Sequence, residues 1–189
     1  MVLRFLHIAC IFTLLFTAYG FVHSEPWISN KNLKKADRAI SKIWPAEAYS
    51  LESFAINYEL MEQADVFDLN GTFYMIQSGS GELGMAYIGL ANGCHIGGCE
   101  NPLNPNNGFE NFDFLLIYDT EKNLLHAQVL RYDCEYGYEI CGRRWLKQFI
   151  GDRRSFDYGS DIQAIAGATV SARSITYEIS KINKIVINQ

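Results

Sequence analysis

The sequence predicts an α+β fold, in which an antiparallel sheet of hairpins is flanked by an N-terminal and a C-terminal helix. Apolar runs joined by Gly- and Asn-rich turns predict the hairpins, and two stretches of helical periodicity lie at opposite ends of the chain. Strands grouped together, with helices set apart, are typical of this class. The 189 residues suffice for about one domain. The apolar fraction of 49% is enough for a core that needs no metal or second subunit.

The first helix is predicted from about Lys31, with Ser29 and Asn30 as its cap and Trp44–Pro45 as its end. Four apolar residues recur along it at helical spacing, namely Leu33, Ala36, Ile40 and Ile43. The next segment, residues 50–67, combines strand and helix periodicity. We interpret it as a strand followed by a short helix or loop.

Two β-hairpins are predicted in the middle of the chain. Their strands are residues 72–77 with 83–90, and 112–118 with 124–132. Two helices are predicted after them, a short one over residues 142–150 and a final one over about 171–186. The final helix presents one apolar face, which consists of Ile175, Ile179, Ile182 and Val186.

Residues 1–24 have the pattern of a signal peptide. Arg4 precedes an apolar run of about 18 residues without formal charge, and small residues lie near its end. A run of this length is also compatible with an uncleaved membrane anchor. The sequence therefore predicts a single domain over residues 25–189 outside the cytoplasm, in the periplasm or on the outer face of the cytoplasmic membrane.

Four cysteines remain in that domain: Cys94, Cys99, Cys134 and Cys141. An even number in an exported chain predicts disulfide bonds, and all three pairings stay open. The alternative is a zinc site that uses these cysteines and His95. Zinc sites usually have tighter Cys-x2-Cys spacing, so we expect disulfides and no metal.

Composition also excludes some functions. The formal net charge is −5, and the short basic runs are typical of solvated surfaces, so no nucleic-acid partner is expected. The sequence contains no recognisable serine–histidine–acid arrangement and no paired carboxylates in a catalytic context. We therefore predict no catalytic side chain.

A candidate binding site precedes the final helix. The small residues Ala166, Gly167 and Ala168 lead into it, and Thr169 and Ser171 add hydroxyl groups. The first turn of a helix has backbone N–H groups without intrahelical partners and a partly positive dipole end, which together favour phosphate. The alternative is that a hydroxyl simply caps the helix and the glycine forms a turn.

The stretch 159–173 resembles the signature of the FMN-binding domain family. That family includes the flavin-carrying C subunit of sodium-pumping NADH:quinone oxidoreductase, the G subunit of Rnf-type complexes and small exported members. Its signature, Asp-x-x-Ser/Thr-Gly-Ala-Thr, precedes a helix, and a flavin transferase attaches FMN to the final threonine through a phosphoester bond.

Three residues match the end of this signature: Gly167, Ala168 and Thr169. The acidic position of the signature is Gln163 here, and its hydroxyl position is Ala166. Asp161 lies two residues before Gln163 and would substitute only at a shifted spacing. Covalent attachment through Thr169 and non-covalent FMN binding therefore both stay open.

A second block, residues 145–151, resembles the approach to the signature in small exported members. Trp145 and Phe149 in this block are candidate walls for the flavin ring, with core packing as the alternative. The resemblance implies an electron-transfer protein that works with a membrane redox partner or electron-transfer complex. The alternative function is a disulfide-stapled extracytoplasmic binding module that has lost the flavin, which Gln163 and Ala166 favour.

Overall fold

The computed structural model describes residues 28–93, 110–152 and 154–189. Its elements follow the order α1 (Asn30–Ile43), β1 (Tyr49–Phe54), α2 (Tyr58–Gln63), β2 (Gly71–Ser78), β3 (Gly81–Asn92), β4 (Asn111–Asp119), β5 (Leu124–Arg131), α3 (Arg143–Leu146) and α4 (Thr169–Asn188). Single turns of 3-10 helix lie on either side of α3, at Tyr138–Cys141 and Lys147–Phe149. The strands form one five-stranded sheet in chain order, and every neighbouring pair is antiparallel. The predicted α+β class is confirmed.

Both predicted hairpins are present as β2–β3 and β4–β5. The ambiguous segment is a strand followed by a short helix, as predicted, and β1 extends the sheet beyond β2. In the β4–β5 turn, the Asp119 carboxylate accepts hydrogen bonds from the backbone N–H groups of Glu121 and Asn123, both at 2.9 Å. This local side-chain bond favours the turn over a continued strand.

The sheet is covered on both faces, by α1 on one side and α4 on the other. Because both faces are buried, β4 is apolar almost throughout instead of alternating. The core on the α1 face contains Ile28, Ala36, Ala39, Ile40, Tyr74, Ile76, Ala86, Ile88, Leu115, Ile117 and Leu130. The core on the α4 face includes Phe73, Met85, Tyr87, Phe112, Phe114, Leu116, Tyr118 and the apolar residues of α4.

A buried carboxylate holds α1 against the sheet. Asp113 on β4 is 1% exposed and accepts a hydrogen bond from the side chain of Asn32 on α1. Arg131 on β5 binds the same carboxylate through two nitrogens, each at 2.9 Å. A buried carboxylate needs such partners to offset its desolvation, so this contact fixes α1 relative to β4 and β5.

The final helix, α4, begins two residues before its predicted start and ends two residues after its predicted end. All four predicted apolar residues of its face are fully buried or nearly so. Side chains tie it to neighbouring segments: Ser174 accepts a hydrogen bond from Asn92 N–H at 2.7 Å, and Ser180 accepts one from Phe156 N–H at 2.9 Å. Both serines lie outside the apolar face that periodicity predicts for this helix.

None of the helices within the described ranges has the length and apolarity that crossing a bilayer requires. The predicted signal peptide or anchor, residues 1–24, lies outside the described residues. So do Cys94, His95 and Cys99.

A buried ion pair lies on α4, between Glu178 and Lys181. Lys181 is 2.9 Å from Glu178 and 3.4 Å from Asp68, measured from its ammonium nitrogen to the nearest carboxylate oxygen. The second Glu178 oxygen and the hydroxyl of Tyr87 have no hydrogen-bond partner among the described residues. Burial raises the pKa of Glu178, and the nearby Lys181 offsets only part of that rise. Ionisation of Glu178 is therefore less favourable in the folded protein than in the unfolded chain.

We predict that Glu178→Gln gains stability relative to wild type as the pH rises from about 4 to about 7. A carboxyl whose pKa is raised in the folded state contributes stability below its unfolded pKa and loses it as the pH rises through the folded pKa. Glutamine does not ionise, so it avoids this loss. Urea unfolding of both proteins at the two pH values measures the difference. Glu62→Gln, at an exposed position of α2, is the control. A difference that stays constant with pH, or that moves toward wild type, would contradict the account.

Candidate functional site

The N-terminus of α4 begins at Thr169 and has no side-chain cap. The N-cap residue is Ala168, whose methyl group cannot accept a hydrogen bond. The alternative interpretation, in which Thr169 or Ser171 caps the helix, is therefore wrong. An uncapped first turn relies on solvent or a ligand to satisfy its backbone N–H groups. This N-terminus belongs to a helix of 20 residues, so the full dipole acts at that end.

The turn before α4 is open. Gly167 has a φ of +82°, and apart from its two neighbours in the chain no atom of the described residues lies within 4 Å of where its Cβ would stand. Ala166, Gly167 and Thr169 are exposed, whereas Ala168 is 2% exposed and anchors the turn in the core. Only glycine adopts this backbone readily, and the empty space beside it lets a ligand approach the first helical turn.

A positive side chain lies one helical turn beyond Thr169. Arg173 follows Thr169 by four residues, so the two share a face of α4. The Arg173 guanidinium carbon lies 5.7 Å from the ring centroid of Tyr158, in cation–π geometry. No role for Arg173 was predicted from the sequence, although it follows the candidate phosphate attachment point, Thr169, by four residues.

Ser171 faces the core and is fully buried. Its hydroxyl oxygen lies 2.8 Å from that of Tyr132, and the Tyr132 hydroxyl donates to the Tyr136 carbonyl. Burial raises the pKa of Tyr132 to about 12, so this phenol keeps its proton. Ser171 is thus a structural residue that joins α4 to the segment after β5, and its hydroxyl does not point toward the open turn.

The segment after β5 packs closely on the start of α4. A Cβ at Gly137 would lie 2.6 Å from the Tyr132 hydroxyl oxygen and 3.0 Å from that of Ser171, so only glycine fits there. On either side of this glycine, Tyr136 is 55% exposed and Tyr138 is 69% exposed. Two exposed aromatic side chains therefore belong to the segment that contacts the first turns of α4.

Trp145 lies in the core, which is the alternative that the sequence left open for it. The side chain is 8% exposed, and its ring meets Phe149 edge-on at 5.3 Å between centroids. Its indole N–H donates to the Gln163 carbonyl at 2.7 Å. Gln148 accepts from the Gln163 N–H at 2.8 Å. The two sequence blocks that resemble the FMN-binding family are therefore in direct contact, and the first holds the backbone of the second.

Other contacts hold the rest of the signature segment. Asp161 accepts a hydrogen bond from the Asp157 N–H at 2.9 Å, so its carboxylate belongs to its own loop. The Ile165 N–H donates to the Tyr158 hydroxyl at 3.1 Å. Gln163 is exposed, with its backbone held by Trp145 and Gln148. The chain thus enters the open turn from a fixed position.

Cys134 and Cys141 are close enough for one thiol to raise the pKa of the other, and they are not bonded to each other. Burial raises the pKa of the Cys134 thiol and raises that of Cys141 to about 11. The other two cysteines lie outside the described residues, so the disulfides stay a prediction. In the described ranges no group of three His, Cys, Asp or Glu residues could hold a metal ion.

No protein-family model matches the sequence, and no curated protein sequence matches it.

We predict that Trp145→Phe lowers the free energy of unfolding by about 0.5–1.5 kcal/mol more than Trp44→Phe does, because the Gln163 carbonyl loses its donor. Trp44→Phe is the matched control. Trp44 is half-buried at the end of α1, and its indole N–H has no hydrogen bond with any described residue. Chemical denaturation measures both variants. Equal losses would show that ring size alone matters and that the bond to Gln163 does not stabilise the fold.

Proposed function

We propose that this protein is an exported FMN-binding electron-transfer protein that holds the flavin phosphate at the N-terminus of α4. The observation that carries the proposal is an exposed Thr169 at the first position of an uncapped 20-residue helix, behind an open glycine turn. These features fit a phosphate group, which needs close approach to backbone donors and a positive local potential. The resemblance of the sequence supplies the identity of the ligand.

Three groups of the chain would meet the phosphate. The first-turn N–H groups of α4 donate hydrogen bonds, and the helix dipole contributes about 0.3–1 kcal/mol in an exposed setting. Arg173 adds a full positive charge on the same face, and the ring of Tyr158 keeps that side chain near the helix. The Thr169 hydroxyl is the attachment point if the phosphate is esterified.

Bound FMN supplies one- and two-electron redox chemistry, and the protein supplies its position and surroundings. In this proposal no side chain acts as acid, base or nucleophile during turnover. Tyr136 and Tyr138 become the candidates for contact with the flat ring, because they are exposed on the segment that packs against α4. Trp145 is no longer a candidate for this contact, because its ring is buried in the core.

Export and the redox partner remain part of the proposal. The apolar N-terminal segment supports a location in the periplasm or on the outer face of the cytoplasmic membrane. There the protein would exchange electrons with a membrane redox partner or electron-transfer complex, and a flavin transferase would attach the cofactor. Disulfide bonds among the four cysteines fit the same oxidising location.

The second candidate is a binding module with the same fold and no flavin. Gln163 and Ala166 favour it, because they stand where the signature has an acidic and a hydroxyl residue. Asp161 is the nearest acidic residue before Gln163 in the sequence, and its carboxylate accepts a hydrogen bond from the Asp157 N–H in the same loop. In this case the open turn before α4 would have lost its ligand.

We predict that Thr169→Ala removes covalently bound flavin while the fold remains intact, because the side chain is exposed and caps nothing. The full chain is co-expressed with a flavin transferase, and denatured protein is separated by electrophoresis and viewed under ultraviolet light. Thr169→Ser, which keeps a hydroxyl, should retain fluorescence. Ser160→Ala, at an exposed hydroxyl of the preceding loop, is the matched control and should also retain it.

The outcomes separate the candidates. A fluorescent wild-type band that survives Thr169→Ala rules out this attachment point. A yellow native protein without a fluorescent denatured band shows that FMN is held non-covalently and that Gln163 and Ala166 prevent the ester. A colourless protein that also fails to bind added FMN contradicts the flavin proposal and supports the binding module.

A further inference from the structure

A groove of about 860 Å³ runs between α1 and β5, at the β5 edge of the sheet. One wall is a stripe of basic residues on α1, defined by Lys31, Lys35, Arg38 and Lys42, which we call the basic stripe. Their spacing of four, three and four residues places them on one helix face. Arg143 lines the groove as well. This concentration of positive charge contrasts with the net charge of −5 for the whole chain.

The cations of the groove are largely without carboxylate partners. Within the described residues, Lys31, Arg38, Lys42 and Arg143 form no ion pair. Among the residues that the structure describes, Asp133 is the only acidic one that lines the groove, and Arg131 binds it at 2.7 Å. Unpaired like charges held side by side repel one another, so an anionic ligand would relieve that repulsion as well as add attraction.

The opposite wall is an edge strand. β5 has β4 as its neighbour on one side, and on its other side the described chain forms one bridge, between Leu124 and Gly151. Lys35 donates to the Leu130 carbonyl, which places a polar backbone group of β5 at the groove. An exposed strand edge can pair with an added extended segment.

We propose that the groove binds an extended acidic segment of a partner protein, with carboxylates on the basic stripe and backbone hydrogen bonds to β5. From Lys31 to Lys42 the stripe spans about 16 Å, with steps of about 4.5–6 Å along the helix axis. Side chains on one side of an extended chain recur about every 6.6 Å, a repeat close to the spacing of the cations along the basic stripe. A compact polyphosphate would reach only part of the stripe, and a flat lipid surface would not enter the groove.

The groove also reaches the proposed flavin site. Tyr132 lines the groove, and its hydroxyl contacts Ser171, two residues after Thr169. A partner bound along the stripe would therefore lie close to the N-terminus of α4. A role for this partner in electron transfer rests on the proposed function, whereas the docking itself rests only on the charges and geometry of the groove.

The test uses the full chain, produced without a flavin transferase and free of flavin. The probe is a fluorescent peptide of about ten residues in which glutamate and threonine alternate, long enough to span β5. Binding is followed by fluorescence anisotropy. We expect binding to weaken by about tenfold or more in the triple variant Lys31→Glu, Arg38→Glu, Lys42→Glu. The loss of three surface charge pairs with the peptide is enough to produce a change of this size.

The matched control is the triple variant Lys34→Glu, Lys147→Glu, Lys184→Glu, which makes three charge reversals at exposed positions outside the groove. It should change the affinity by no more than about twofold at physiological salt. A peptide methylated on alternate backbone nitrogens should bind more weakly than the parent, because it cannot pair fully with β5. The triple variant Lys31→Gln, Arg38→Gln, Lys42→Gln repeats the test without introducing negative charges that would repel one another in the folded protein.

The proposal would be overturned if the acidic peptide did not bind, or if the two triple variants lost equal amounts of affinity for it. It would also be overturned if either of two competitors displaced the peptide at a lower concentration than unlabelled peptide does. The competitors are tripolyphosphate and vesicles of phosphatidylglycerol, and each would assign the groove to its own class of ligand. Because the protein in this test carries no flavin, its outcome is independent of whether Thr169 holds FMN.

Discussion

The burial of α4 along the sheet is the constraint on which the candidate site depends. Its apolar face packs on the aromatic core over most of a helix about 30 Å long. Ser174 and Ser180 accept hydrogen bonds from the backbone N–H groups of Asn92 and Phe156, which fix the helix along its length. Because a helix is stiff, contacts far from Thr169 determine where Thr169 lies. The N-terminus can therefore stay uncapped and open without loss of position, at the cost of about 1 kcal/mol that a cap would contribute.

The segment before α4 is held by different means. Trp145 and Gln148 bind both backbone polar groups of Gln163, and Tyr158 binds the next part of the chain through Ile165. The open turn thus joins two fixed elements, which is the arrangement that a binding site needs when its donors are backbone groups. Tyr132 connects this arrangement to the groove between α1 and β5, because it lines that groove and contacts Ser171 of α4.

Much of the fold was readable from the sequence, because periodicity and turn residues report burial directly. The hairpins and α1 followed from such patterns, and the strand–helix interpretation of residues 50–67 was confirmed. The role of Trp145 was not decidable, since an aromatic residue in a short helix can face a core or a ligand equally well. The basic groove was missed because its two walls, α1 and β5, are about 90 residues apart in sequence. The short basic runs were interpreted as solvated surfaces, and Lys35, which belongs to one of them, lines the groove.

The account depends most on the claim that the first turn of α4 binds a phosphate group. Amide chemical shifts of Thr169, Val170 and Ser171, followed by NMR while FMN is added to flavin-free protein, test it most directly. Riboflavin, which has the same ring without the phosphate, is the comparison. The account predicts that FMN shifts these three amides and that riboflavin shifts them far less. Equal shifts with both ligands, or no shift at these amides when FMN binds, would contradict it.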